Sequence, residues 1–119
     1  VLGGGRIITK QNRMRALADP TAHAELLAIR AAPQVRGTGR LDGCDIYVTL
    51  EPCAMCAGAI AHARLRRVYY AAEDVKAGAV DNGVRFFESP NCHHRPEVIA
   101  GVGETRSAAL LRDFFRRLR

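Results

Sequence analysis

Apolar residues fall along this chain in short blocks set apart by glycine, proline and polar residues, as strands alternating with helices do. "DIYVTLE" (45–51) is β-branched and mostly apolar and predicts a buried central strand. "RRVYYAA" (66–72) predicts a second. "RIITK" (6–10), after the glycine turn "GGG", and "EVIAG" (97–101) predict two short ones. "NRMRALADP" (12–20) has no clean period and reads as a loop. Asp19-Pro20 or Thr21 then supplies a helix start, because a short polar side chain caps and proline suits the first turn. "TAHAELLAIRAA" follows with strong helix formers and is expected to end before Pro33. "QVRGTGRLDG" is a loop, and Pro52 ends the central strand and opens a helix running to about Ala63.

Residues 73–95 form a glycine-bearing loop long enough to point to function. From Glu104 a final helix is expected, with Leu110, Leu111, Phe114, Phe115 and Leu118 on an apolar stripe and Arg112, Arg116 and Arg119 on another face. Such a stripe is core more often than binding surface. Strands alternating with helices imply a three-layer α/β domain.

The 119 residues suit one domain, 1–119, with a real core. A hydrophobic share of 48% with 25% charged residues is that of a globular protein, which excludes disorder as a whole. No stretch approaches the roughly 20 apolar residues of a membrane span, and no signal-peptide core is visible in a chain that opens at Val1. The charge of +6 is uneven. Residues 1–18 hold Arg6, Lys10, Arg13 and Arg15 with no acid, and residues 104–119 hold Arg106, Arg112, Arg116, Arg117 and Arg119 against Glu104 and Asp113. Basic ends can be solvated faces or can neutralise phosphates.

The 4 cysteines could make two disulfides, but Cys53 and Cys56 are spaced as metal ligands. A reduced, cytoplasmic compartment follows, with Cys44 and Cys92 as ordinary small apolar residues. At a helix N-terminus, two cysteines three apart point to one side, where exposed N–H groups favour thiolates. A redox pair shares that spacing. The histidine motif "HAE" (23–25) upstream favours metal instead. With His23, Cys53 and Cys56 as ligands, the fourth position is left for water and Glu25 stands beside it, the composition of a catalytic zinc site. A closed structural site needs Cys44, Cys92, His93 or His94 as a fourth ligand and leaves Glu25 unexplained; for His93 and His94 the plainer role is loop packing or capping.

H-x-E … P-C-x-x-C is the signature of zinc nucleobase deaminases. "NRMRALADPTAHAELLAIR", "YVTLEPCAMCAGAIAHAR", "DVKAGAV", "NCHHRPEV" and "ALLRDFFRRLR" together resemble the bacterial tRNA-specific adenosine deaminase family over nearly the whole chain. The resemblance implies a cytidine-deaminase-like three-layer α/β/α sandwich around a mixed five-stranded sheet, working as a homodimer. It implies conversion of the wobble adenosine of a tRNA anticodon loop to inosine, with one zinc per subunit held by His23, Cys53 and Cys56 and with Glu25 moving protons. It further implies that Asn12 contacts the base, that Ala24 and Pro52 meet the adenine edge through their backbone, and that Asp74 and His94 face the RNA. Phosphate contact then falls to Arg112, Arg116 and Arg119, with Arg64, Arg66 and Arg67 as weaker candidates. The family opens with an amphipathic helix and a full first strand, of which Val1-Leu2 resembles the tail, so the natural chain is expected to be longer.

Two rivals stand beside this reading. A deaminase of free guanine, cytosine or cytidine shares the zinc chemistry but has no need of the basic C-terminal segment. A zinc-stabilised RNA-binding module without catalysis has no need of Glu25.

Overall fold

The computed structural model describes residues 8–37 and 39–101. They build an α/β unit in the order α1 (Ala24–Arg36), β1 (Asp45–Leu50), α2 (Ala54–Ala63), β2 (Arg67–Ala72), a 3₁₀ turn (Phe86–Glu88) and β3 (Glu97–Ile99). The strands lie in the order β1-β2-β3, all parallel, with Ile46 opposite Val68, Tyr47 opposite Tyr69, and Val68 opposite Val98.

Alternation along β1 and β2 makes two faces. Ile46, Val48, Val68 and Tyr70 are buried and pack with Ala32 of α1 and Ala57, Ile60 and Ala61 of α2. Tyr47 and Tyr69 lie on the other face, stacked with ring centroids 4.5 Å apart. Among the described residues the helices thus contribute one layer on the sheet.

The strands at 45–51 and 66–72, the short strand from Glu97 and the helix after Pro52 form where the apolar pattern predicts them. Helix α1 differs at both ends. Asp19 closes a turn of its own, its Oδ1 accepting both the backbone N–H and the hydroxyl of Thr21 at 2.9 and 2.6 Å. That leaves the helix to begin at Ala24, with His23 as its N-cap. At the other end Pro33 lies inside the helix. Proline removes one rung of the ladder, yet the last turn closes because Gly37 adopts a left-handed φ of 78° and donates its N–H to Pro33 O at 2.7 Å. Residues 8–10 of the expected strand 6–10 carry no strand pairing, and 6–7 lie outside the described residues. The expected helix from Glu104, with its apolar stripe and Arg112, Arg116 and Arg119, lies outside them entirely.

Candidate active site

Two helix N-termini meet at one point. His23 is the N-cap of α1 and Cys53 the N-cap of α2, and neither uses its side chain to cap. Both side chains are therefore free to face one another. Nδ1 of His23 lies 3.8 Å from Cys53 Sγ and 3.6 Å from Cys56 Sγ. The three ligand atoms lie within 4.8 Å of one another, and no other His, Cys, Asp or Glu among the described residues joins them. Cys44, Cys92, His93 and His94 are not in the group. Cys92 Sγ sits 3.0 Å from His94 O, and the His94 ring lies 2.7 Å from Leu65 O, so this segment is held by loop packing.

The arrangement suits a tetrahedral ion. Arms of roughly 2.0–2.1 Å to nitrogen and 2.3 Å to sulfur give N···S edges of about 3.6 Å, close to the separations seen. Burial first, and then the nearby Glu25 and Cys53, push the Cys56 thiol well above its ordinary range. A thiolate at that buried position calls for a cation between the three side chains. At Cys56 the helix N-terminus, expected to favour a thiolate, does not outweigh the burial.

A cavity of about 320 Å³ opens beside the group and is lined by His23, Ala24, Glu25 and Cys53 together with Asn12 and Asp74. His94 and Pro52 are not among its lining residues. Asn12 reaches across twelve positions to accept the Ala24 N–H on its Oδ1 at 2.8 Å. It thereby satisfies one of the donors that a helix start leaves open, and its amide nitrogen remains as a donor at the cavity. The Pro52 carbonyl accepts the Ala79 N–H at 2.9 Å. Asp74 Oδ1 accepts the N–H groups of Lys76 and Ala77 at 3.1 and 2.9 Å, which closes a tight turn at the cavity wall. Arg66 and Arg67 are engaged with Asp45 and Glu97 at 2.7 and 2.8 Å.

A family model of MafB19-like deaminases matches residues 1–119. The tRNA-specific adenosine deaminase of Agrobacterium fabrum is 57% identical over 116 residues, covering 97% of this chain and 76% of that protein. The chain belongs to the tRNA-specific adenosine deaminase family. A solved structure from studies of A-to-I editing by tRNA:A34 deaminases at the wobble position of transfer RNA shares 56% identity with this family member. It superposes with a TM-score of 0.83 over 92% of this chain and 80% of that one. A guanine deaminase from Bacillus subtilis is more distant, at 35% identity and a TM-score of 0.61, over 100% of this chain and 76% of that one.

Glu51, the residue before Pro52, is 3% exposed and is the only buried charged side chain among the described residues. Burial alone raises its carboxyl, but hydrogen bonds from Asn82, Val80 and Asp74 outweigh that and hold it below the ordinary carboxylate value. An acid closing an apolar strand was the signal in the sequence.

Proposed function

We propose that this chain hydrolyses adenosine to inosine at the wobble position of a tRNA anticodon loop, releasing ammonia, with zinc held by His23, Cys53 and Cys56. The observation that carries the reading is the His23–Cys53–Cys56 group, of which His23 and Cys53 line one cavity with Glu25, in a chain 57% identical to a protein named as a tRNA-specific adenosine deaminase.

Zinc bound at the three ligands supplies a water whose pKa falls from about 16 towards roughly 7. The residues of the chain do the rest. Glu25, two residues from a ligand and facing the cavity, accepts the water's proton and passes it to adenine N1, which makes C6 electrophilic. Once the water's oxygen has bonded to C6, Glu25 takes that oxygen's remaining proton and delivers it to the amino group, which leaves as ammonia as the C6–N bond breaks. One carboxylate serves both transfers because they are sequential. Asn12 offers its amide donor to an acceptor of the base, Ala24 borders the adenine edge and Asp74 faces the nucleotide beside it, while the buried Pro52 stands behind the cavity lining and His94 faces the RNA beyond the cavity. An anticodon loop suits the cavity because an unpaired base leaves its stack more cheaply than a paired one. Phosphate contact belongs to Arg112, Arg116 and Arg119.

The same reading carries a mixed five-stranded sheet with helices on both faces, of which β1, β2 and β3 are three strands, and a cytoplasmic homodimer. No helix among the described residues is long and apolar enough to cross a membrane.

The alternative is deamination of a free base, as in the guanine deaminase relative. The higher identity and TM-score of the tRNA-acting neighbour favour the RNA reading. The test compares an anticodon stem-loop bearing a wobble adenosine with free guanine, adenosine and cytidine across a salt series. Turnover of the stem-loop that falls as salt rises supports RNA binding. Turnover of a free base with the RNA untouched overturns it.

A further inference from the structure

All five donors that reach the Glu51 carboxylate come from one loop. Oε2 accepts the backbone N–H groups of Val80, Asp81 and Asn82, each at 3.0 Å. Oε1 accepts the Asp74 N–H at 3.2 Å and the Asn82 side-chain amide at 2.6 Å. A carboxylate offers about four lone-pair sites and no donor, so it alone suits so many N–H groups. A buried anion without such partners is costly. Here it is saturated.

Its inner part is also held by the buried Ala79 and Val80, by the Ala79 N–H on the Pro52 carbonyl and by the Tyr70 hydroxyl on Asp81. Its outer edge is not anchored by burial, since Val75 is 80% exposed. Gly78 crosses directly over the carboxylate. A Cβ there would lie 2.5 Å from both Asp74 O and Glu51 Cδ, closer than any side chain tolerates. The loop is therefore pressed against Glu51 by a missing side chain and held by five hydrogen bonds. The result of that clamp is the cavity wall, because Asp74 and Ala77 line the cavity from this loop while Glu51 closes β1 beneath it.

We infer that Glu51 is a positioning residue for the substrate: it fixes loop 74–82 and through it sets Asp74 at the nucleotide, without touching the reacting atoms. This rests on the RNA-deaminating reading, and its effect belongs to substrate binding rather than to the chemical step.

Steady-state kinetics on the wobble-adenosine stem-loop, with zinc measured on the same samples, test it. Gln at position 51 keeps the shape but turns an N–H₂ group toward backbone donors. Glu51→Gln is expected to raise KM about tenfold or more, as loss of positioning does, with kcat within about twofold and zinc unchanged. Asp74→Ala is expected to raise KM similarly, and Glu51→Gln added to Asp74→Ala to raise it no further, because the first acts through the second. Asn82→Ala removes a single donor and gives a smaller rise in KM, which keeps the test alive if Glu51→Gln does not fold. A fall in kcat at constant KM, additive effects in the double variant, or an unchanged KM in Asn82→Ala overturns the inference. Absence of stem-loop turnover by the unaltered protein sinks the function instead, and is seen before any variant is made.

Discussion

His23 Nδ1 lies 3.6 Å from Cys56 Sγ across 33 positions of sequence. Each residue stands at the start of a different helix, so the fold, rather than either motif, makes the candidate metal group. Cys56→Ala is therefore expected to leave a two-ligand site that loses zinc by more than about 100-fold in affinity, beyond what support groups around a metal cost. Zinc content of the purified variant checks this. A variant that keeps one zinc per chain contradicts it.

Metal removal by a chelator should lower the melting temperature. A ligand present at about 1,000 times its Kd stabilises by about 4 kcal/mol, and the core beside the group includes the fully buried Cys56 and Ala57. Differential scanning calorimetry with and without chelator measures the shift, and zinc added back should restore it.

Asn12 accepts the Ala24 N–H in place of a cap from the residue before the helix. Asn12→Ala removes that bond and is expected to destabilise by about 1 kcal/mol, as cap losses do. It should also weaken stem-loop binding, since the base loses a donor. Chemical denaturation and RNA titration separate the two effects, and a variant altered in neither refutes both roles.

Tyr70 is fully buried and donates its hydroxyl to Asp81. Burial first, and then Asp81, raise its pKa above the ordinary 10.0. A raised pKa means that the contribution to stability is fully present below about pH 10 and is lost as pH rises through the folded value. Tyr70→Phe is expected to cost about 1.5–3 kcal/mol at neutral pH, the range for a hydrogen bond to a charged group. It should also flatten the alkaline decline seen in the unaltered protein. Urea titrations at pH 7 and above pH 10 give both quantities, and identical alkaline limbs speak against this role for Tyr70.

The two central strands, the helix after Pro52 and the meeting of His23, Cys53 and Cys56 in one group that could hold a metal ion were all legible in the sequence. The strands and the helix rest on local information, β-branched runs and a proline, and the group on two separate motifs, two cysteines three apart and a histidine motif some thirty residues upstream. What was not legible depends on which of several available partners a group takes, near or far in the chain. The start of α1 is set by Asn12 reaching over from the preceding loop and by Asp19 spending its carboxylate on Thr21. Its end passes Pro33 because Gly37 closes the final turn. Glu51 stands at the end of an apolar strand, and nothing local says that a loop some thirty residues on will supply its donors.

In the proposed reaction Glu25 moves the protons of a hydrolytic deamination beside His23, Cys53 and Cys56. The most direct measurement is inosine formed in the wobble-adenosine stem-loop by zinc-loaded protein and by Glu25→Ala, with zinc content determined on both. The unaltered protein is expected to form inosine and the variant to lose at least about 10²–10⁴-fold, the range for removing a general acid–base, at unchanged zinc content. Undiminished turnover by Glu25→Ala contradicts this role for Glu25.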